Sequence, residues 1–189
     1  MNHLFAAAQE LQDFMQKRGW RFCFIGGLAL LRWGSPRTTQ DVDVSVFTGF
    51  GNEESYVRDL LARFTPRIQG AEAFARDSRV VLVKASNGVP VDLALGAVPF
   101  EQETVRRATP FEFAPGISLL TCSAEDLIVL KAFAARDQDW ADAEGIAARQ
   151  KGRLDWGFIE GQLRPLCQAK ESPEIMDRLA EVRRKTEKA

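Results

Sequence analysis

Alternating apolar and polar residues mark the clearest strand in the chain, within the segment RTTQDVDVSVF. Val42, Val44 and Val46 alternate with polar residues, which is the period of two expected when one face of a strand is buried. Asp41 and Asp43 therefore lie together on the opposite face. Two neighbouring carboxylates repel each other at neutral pH, and a bound cation is the usual compensation. The pattern thus predicts a strand whose polar face carries functional carboxylates.

The remaining pattern predicts that helices and strands alternate up to about residue 121. It indicates a helix over 3–18, a strand over 21–25, a short helix that ends at Gly34, and a helix that begins after Asn52. Two apolar segments, RVVLVKA and VPVDLAL, flank the turn sequence SNG. That arrangement is typical of a hairpin, so we expect these two segments to pair as antiparallel strands.

Beyond Ser123 the pattern becomes helical. SAED is a capping box that opens the helix LIVLKAFAAR, and further helices fill the remainder. PGISLLT, just before it, is predicted to be a connecting strand. The sequence therefore predicts an α+β fold: a small mixed β-sheet with flanking helices over residues 1–121, followed by a helical carboxyl-terminal subdomain over residues 122–189.

Composition narrows the class of protein. The chain has 189 residues, of which 46% are hydrophobic, and its formal net charge is −1, so it has no global basic field for nucleic acid. No stretch approaches the roughly 20 apolar residues of a membrane span, and the amino terminus lacks signal-peptide features. We therefore expect a cytoplasmic protein with no membrane partner. Cys23, Cys122 and Cys167 are expected to be buried, reduced thiols, because their spacing fits neither a disulfide framework nor a zinc site.

A third carboxylate strengthens the chemistry suggested by Asp41 and Asp43. Asp92 lies on the polar side of the predicted strand VPVDLAL, between residues that favour burial. Three aspartates on one face of a small sheet would bind two divalent cations about 4 Å apart, as in phosphoryl and nucleotidyl transfer. Carboxylates without imidazole or thiolate ligands favour Mg²⁺, with Mn²⁺ as the alternative, over zinc.

A glycine pair precedes these aspartates. Gly26 and Gly27 end an apolar strand and open a helix, where backbone amides can face a phosphate and the absence of Cβ allows close approach. In isolation such a pair is more often just a tight turn. Here the second glycine lies 14 residues before Asp41, and this combination favours a phosphate-binding turn.

The combined segment FIGGLALLRWGSPRTTQDVDVSV resembles the hallmark of the DNA polymerase beta-like nucleotidyltransferase superfamily, with VDLAL as the strand of the third carboxylate. RTTQDVD and SAEDLIVLKAFAARDQDWAD are most similar to bacterial nucleotidyltransferases related to AbiEii, the toxins of type IV toxin–antitoxin systems. The resemblance covers residues 20–145. Gly-Gly stands where Gly-Ser is common in the superfamily, so backbone amides would contact phosphate without help from a hydroxyl.

The resemblance implies a magnesium-dependent enzyme that transfers a nucleotide from a nucleoside triphosphate, such as ATP, to an acceptor hydroxyl and releases pyrophosphate. It implies that Gly26 and Gly27 hold the nucleotide phosphates. It further implies that Asp41 and Asp43 bind the metals and that Asp92 binds the metal next to the attacking hydroxyl.

The resemblance also assigns residues outside the aspartate strands. It implies that Arg37 and Thr38 contact phosphate or substrate, that Lys131 approaches the triphosphate, and that Asp139 and Asp142 lie near the cleft. The residues alone are also consistent with a lysine that covers an apolar helix face and with two solvated aspartates at a helix start. In either role, replacing Lys131 is expected to cost little stability.

Several alternatives stay open. An RNA end such as that of tRNA, a protein hydroxyl and a small-molecule hydroxyl present the same chemistry, so the acceptor is undefined, and a cognate antitoxin is expected only through the resemblance. A catalytically silent nucleotide- or partner-binding module of the same fold is one alternative function. A phosphohydrolase with a carboxylate metal site is another. The three intact aspartates argue against a silent module, because a protein without catalysis need not keep their mutual repulsion.

Overall fold

The computed structural model describes residues 2–188. Over that range the chain forms seven β-strands and nine α-helices. The strands are β1 (Phe22–Phe24), β2 (Val42–Phe47), β3 (Thr65–Pro66), β4 (Val80–Lys84), β5 (Pro90–Gly96), β6 (Thr109–Ala114) and β7 (Ile117–Thr121). The helices are α1 (Asn2–Lys17), α2 (Gly26–Trp33), α3 (Glu53–Arg63), α4 (Ala71–Ser78), α5 (Pro99–Arg107), α6 (Ala124–Ala134), α7 (Asp137–Arg149), α8 (Trp156–Lys170) and α9 (Glu174–Lys188).

The strands within residues 2–188 form one mixed sheet in the order β3, β4, β5, β2, β1, β7, β6. Strand β2 runs parallel to β5 and β1 runs parallel to β7, whereas the other neighbours are antiparallel. Helices alone follow the last strand. The predicted α+β fold, with a mixed sheet followed by helices, is confirmed.

Strand β2 lies at the middle of the sheet and has the predicted alternation. Val42, Val44 and Val46 are fully buried, whereas Asp43 is partly exposed. Asp43 is in direct register with Asp92 of β5. Since residues in register on neighbouring strands point to the same side, the two aspartates share one face of the sheet.

The predicted hairpin between the third and fourth apolar segments is confirmed as β4 and β5, which pair in an antiparallel manner. Its turn closes with a hydrogen bond of 2.9 Å from the N–H of Gly88 to the carbonyl oxygen of Ala85. Gly88 has a φ of +83°, a conformation that a residue without Cβ adopts at little cost. The hairpin fixes the register of β5, and therefore the position of the aspartate that β5 carries.

The structure adds four elements that the pattern does not predict: β3, α4, α5 and β6. Helix α5 begins where the carboxylate of Glu101 accepts hydrogen bonds from the N–H groups of Ala97 and Val98, at 2.7 and 3.0 Å. The segment PGISLLT is more than a connection, because β7 pairs with both β1 and β6. The sheet is therefore wider than the sequence pattern indicates.

Helix ends agree with the predictions in most cases. Gly19, with a φ of +66°, follows α1, and the hydroxyl oxygen of Ser123 accepts a hydrogen bond of 3.1 Å from the N–H of Asp126 at the start of α6. Helix α2 already begins at Gly26. Asn52 precedes α3 but makes no capping hydrogen bond with its side chain. The glycine pair is thus the first turn of α2.

The chain divides into two compact units. The first comprises the chain up to Leu28 together with Thr38–Cys122, and it contains the whole sheet. The second comprises Ala29–Arg37 and the chain from Ser123 onward. The sequence predicts a single boundary, after residue 121, whereas the unit with the carboxyl-terminal helices also includes Ala29–Arg37.

Each unit has its own apolar core. In the first, Leu11 and Met15 of α1 and Phe24 of β1 are fully buried. In the second, Leu127 and Ile128 of α6 are fully buried, and α6 packs against α7 and α8. Burial of each such side chain contributes about 1.5–3 kcal/mol. Since most of the circumference of α6 is covered, a charged residue on this helix needs a partner within the protein.

Two smaller predictions concern cysteines and membranes. The three cysteines are buried, as expected. Burial raises the pKa of the Cys167 thiol, which keeps it protonated. No helix between residues 2 and 188 is both long enough and apolar enough to cross a membrane.

Candidate active site

The first turn of α2 lies directly against the carboxylate of Asp43. The N–H of Gly27 donates a hydrogen bond of 3.4 Å to Oδ2 of Asp43. Gly26 has a φ of +53°, and a Cβ atom at this position would lie 1.9 Å from the same oxygen. No other residue fits without displacing Asp43. The carboxylate also sits where the positive end of the helix dipole favours negative charge.

Asp41 is held by a residue that sequence reasoning missed. The hydroxyl of Thr39 donates a hydrogen bond of 2.9 Å to Oδ1 of Asp41. A Cβ atom at Gly27 would lie 2.3 Å from that hydroxyl oxygen, so Thr39 packs against the glycine turn. Thr38, which the resemblance favoured, is exposed and makes no side-chain hydrogen bond with any residue in the described range. Its sequence neighbour Thr39 therefore links the turn to the first aspartate.

Asp92 makes an ion pair with Arg67, whose Nη2 donates to Oδ1 of the aspartate. Its side chain is 38% exposed. Burial raises the pKa of Asp92; the charge of Arg67 opposes this, and the negative charge of Asp41 adds to it. The charge of Asp41 thus opposes ionisation of Asp92, which is the effect that a like charge has on a carboxylate.

The three aspartates have the chemistry of a hard-cation site. Asp41, Asp43 and Asp92 supply carboxylate oxygens and no nitrogen or sulfur, which suits Mg²⁺ or Mn²⁺. Among residues 3–187, whose side chains the structure describes, no three His, Cys, Asp or Glu side chains stand close enough together to hold a metal ion. One oxygen of Asp92 is held by Arg67 instead. The donors fit the cation, and the metal site stays a prediction.

A second cluster of charges lies in the helical unit. The Nζ of Lys131 lies 3.0 Å from Oδ1 of Asp139 and 2.8 Å from Oδ2 of Asp142. The three side chains are 9%, 2% and 4% exposed, respectively. Lys131 is therefore neither solvated nor covering a helix face, and the two aspartates are not solvated residues at a helix start. The sequence predicted that replacing Lys131 would cost little stability, because it assumed a solvated or partly exposed ammonium group. The structure instead shows a buried ammonium group that is paired with two carboxylates.

Two arginines complete this group, which we call the Lys131 cluster: Arg37, Lys131, Arg136, Asp139 and Asp142. Arg37 donates from Nε and Nη2 to the two oxygens of Asp142, at 3.1 and 3.2 Å. Arg136 does the same to Asp139, at 2.5 and 3.2 Å. Burial tends to raise the pKa of both aspartates, but hydrogen bonds from the arginines and from Lys131 outweigh it and leave the pKa lowered. Both carboxylates are thus held in the charged form.

The residues that the sequence singled out form two groups, each within its own unit. The sheet unit contains Gly26, Gly27, Asp41, Asp43 and Asp92. The Lys131 cluster contains the other singled-out residues except Thr38, namely Arg37, Lys131, Asp139 and Asp142. Thr39, Arg67 and Arg136 complete the groups and were missed. The repeated threonine before the aspartate pair was a signal for Thr39, whereas no local pattern identifies Arg67.

A mixed sheet in which neighbouring strands carry Asp43 and Asp92, beside a Gly-Gly helix start, is the arrangement expected of a nucleotidyltransferase. The chain belongs to the AbiEii family, described as nucleotidyl transferase AbiEii toxins of type IV toxin–antitoxin systems, whose family model matches residues 16–153. The resemblance noted in the sequence is confirmed. The protein is therefore a transferase with a role in nucleotidyl transfer.

Comparison with solved structures gives distant neighbours. An antigenic nucleotidyltransferase-like protein from Paracoccidioides brasiliensis is 15% identical, with a TM-score of 0.48 over 95% of this chain and 91% of that one. The antibiotic-resistance factor ANT(2'')-Ia in solution is 15% identical, with a TM-score of 0.43 over 97% and 91%. The same factor in complex with adenylyl-2''-tobramycin is 13% identical, with a TM-score of 0.45 over 96% and 97%. No curated protein sequence matches the chain.

Proposed function

We propose that this protein uses Mg²⁺, with Mn²⁺ as the alternative, to transfer a nucleotide from a nucleoside triphosphate to an acceptor hydroxyl. The observation that carries the proposal is the register of Asp43 with Asp92 on neighbouring parallel strands, with the Gly26–Gly27 turn directly against Asp43. Asp43 and Asp92 thus share one sheet face, and the backbone of the glycine turn lies against Asp43. Cations and phosphates are the groups that such donors bind.

The cation ligands would be Asp41, Asp43 and Asp92. A bound divalent cation supplies charge neutralisation on the phosphates and lowers the pKa of the attacking hydroxyl. The chain's own contribution is positional. The hydroxyl of Thr39 orients Asp41, the N–H of Gly27 orients Asp43, and the register of β2 and β5 fixes the distance between the strands that carry them.

In the proposed reaction the acceptor oxygen attacks the α-phosphorus of the triphosphate. The bond from the α-phosphorus to the oxygen that bridges to the β-phosphate breaks, and pyrophosphate leaves with the electron pair. The proton of the acceptor hydroxyl must move to a base. Asp92, proposed as the carboxylate next to the attacking hydroxyl, is the group that would take this proton or pass it to water.

Gly26 and Gly27 are proposed to lie against the nucleotide phosphates, because the absence of side chains lets a phosphate approach the backbone at this turn. Arg37, Lys131, Asp139 and Asp142 remain predictions as nucleotide-binding residues, as does Thr38. What supports Arg37 and Lys131 is charge: the Lys131 cluster has three cations for two carboxylates, so it carries a net positive charge that would attract a triphosphate.

The substrates belong to the proposal. ATP is the reference nucleotide, and an RNA end such as that of tRNA, a protein hydroxyl or a small-molecule hydroxyl is the acceptor. Family membership supports a cognate antitoxin as a partner and a toxin as the role of this chain. A formal net charge of −1 means that an RNA acceptor would be held by local contacts rather than by a global field.

Calorimetry tests the cation-dependent binding step. Each nucleoside triphosphate is titrated into the protein with Mg²⁺ and then with a chelator in excess. The proposal expects binding that is strong with Mg²⁺ and weakens at least about tenfold in chelator, because three carboxylates repel an unaccompanied triphosphate. Asp43→Asn should lose most of this cation dependence. Equal affinity in the two conditions would rule out the proposed site.

A further inference from the structure

Arg67 stands at the end of a row of residues that crosses the sheet. It follows β3, and its N–H donates a hydrogen bond of 3.0 Å to the carbonyl oxygen of Leu82 in β4. Leu82 is in register with Asp92, and Asp92 is in register with Asp43. Leu82, Asp92 and Asp43 therefore share one sheet face. The guanidinium of Arg67 extends over that row to Asp92.

The guanidinium is held there as a partly buried charge. The side chain of Arg67 is 24% exposed, and its Nη2 donates to Oδ1 of Asp92. Its Nε is buried and has no hydrogen-bond partner among the described residues. A surface arginine would keep this donor in water. Because Nε of Arg67 is buried without a partner among the described residues, we infer that the contact with Asp92, and not solvation of the guanidinium, stabilises this side-chain position.

The position matters because Arg67 and a divalent cation would use the same carboxylate. In the absence of a cation, Arg67 balances the charge of Asp92, which is otherwise repelled by Asp41. A cation bound to Asp92 would be repelled by the guanidinium and would have to share or displace its contact with Oδ1. The same arginine thus stabilises the empty carboxylate and opposes the cation.

We propose that Arg67 is a positioning residue that competes with the divalent cation for Asp92 and thereby sets a low affinity for that cation. The inference rests on the proposed function, because it assumes a cation at the three aspartates. It adds a residue from outside the motif segments to the site. Its consequence is that the cation binds well only when a triphosphate accompanies it and offsets the charge of Arg67.

Replacing the charge of Arg67 gives the size of the effect. The repulsion between a divalent and a monovalent cation about 5 Å apart corresponds to about tenfold in affinity, even with the dielectric constant of water. Arg67→Gln and Arg67→Ala remove the charge and are expected to bind Mn²⁺ about tenfold more tightly than the unmodified chain. Arg67→Lys keeps the charge and is expected to stay within about threefold of it. A merely structural role for Arg67 would weaken Mn²⁺ binding on replacement.

The test measures Mn²⁺ binding by electron paramagnetic resonance, in which the signal of free Mn²⁺ falls as the ion binds. The full-length chain and its Arg67 variants are titrated without nucleotide, and circular dichroism checks their fold. Arg63→Gln is the matched control, because Arg63 makes an exposed ion pair with Glu10 in the same unit and should bind Mn²⁺ like the unmodified chain.

The outcomes separate this inference from the proposed function. Tighter Mn²⁺ binding by the folded neutral variants, with Arg67→Lys unchanged, supports the competition. If the unmodified chain binds Mn²⁺ and the neutral variants bind it equally or more weakly, the inference is overturned and the cation site stays in place. An affinity change of tenfold in Arg67→Lys also overturns it. No Mn²⁺ binding by either the unmodified chain or the neutral variants overturns the cation site and the inference together.

Discussion

Replacement of Lys131 by alanine tests whether the Lys131 cluster is a structural unit of the helical part. The ammonium group lies within 3.0 Å of two carboxylates, and its side chain is 9% exposed. Alanine would remove one positive charge from Asp139 and Asp142 without giving them access to water. A buried carboxylate that loses its partner keeps the desolvation penalty of its charge.

The magnitude follows from what remains after the substitution. Removing one member of a buried ion pair costs about 3–5 kcal/mol. Asp142 keeps its two hydrogen bonds from Arg37, and Asp139 keeps those from Arg136. We therefore expect the lower end, about 3 kcal/mol for Lys131→Ala. In a chain of this length that corresponds to a fall of about 6–12 °C in the melting temperature.

Urea unfolding followed by circular dichroism at pH 7 measures this loss. Lys131→Met, which keeps most of the volume, separates the lost charge from the lost packing and should still lose most of the stability. Lys151→Ala is the matched control, because Lys151 is an exposed lysine of the same unit. If Lys131→Ala unfolds within about 0.5 kcal/mol of the Lys151→Ala control, which is the usual range for surface substitutions, the cluster contributes nothing of note and the reasoning fails.

Three further predictions concern the turn, the first aspartate and the effect of acid. Gly26→Ala should lower the free energy of unfolding by well over the roughly 1 kcal/mol expected for Gly88→Ala. Both positions have positive φ, but only at Gly26 would a Cβ atom overlap a carboxylate. Equal losses of stability in thermal unfolding would contradict the close contact at Gly26. Thr39→Val should weaken Mg²⁺-dependent triphosphate binding measured by calorimetry while Thr39→Ser retains it, because only the hydroxyl orients Asp41, and equal affinities would remove Thr39 from the site. The lowered pKa of Asp142 means that its charge stabilises the fold above the unfolded pKa of about 3.9 and that this contribution is lost as pH falls through the folded pKa. The stability difference between the unmodified chain and Asp142→Asn in urea should thus be full near pH 7 and shrink below about pH 4, and a difference that grows in acid would contradict it.

The sheet and its aspartates were predictable because their signals are local. A period of two in VDVSV requires only that one face be buried, and burial of Val42, Val44 and Val46 follows directly. The SNG turn fixes the pairing of the two strands around it. Parallel pairing of β2 with β5 then brings Asp92 beside Asp43. The glycine turn, the SNG turn and the alternation in VDVSV were therefore enough to indicate the candidate site.

Other parts could not be predicted because the partners are far apart in sequence. Arg67 reaches Asp92 across a whole strand, and no spacing rule connects positions 25 residues apart. The burial of Lys131 follows from the packing of α6 against α7, where its carboxylate partners lie 8 and 11 residues later. Strand β6 has a local signal, because the aromatic residues of TPFEFA alternate with other residues before a Pro-Gly turn.

The fate of the two ends of the triphosphate tests the central claim most directly. The protein is incubated with Mg²⁺, total RNA or total protein, and each nucleoside triphosphate labelled either at the α- or at the γ-phosphate. We expect the α label to become attached to an acceptor and the γ label to leave as pyrophosphate. We expect Asp92→Asn to keep most triphosphate affinity and to lose transfer by at least about 100-fold. Release of the γ label as inorganic phosphate, or near-normal transfer by Asp92→Asn, would contradict nucleotidyl transfer by these aspartates.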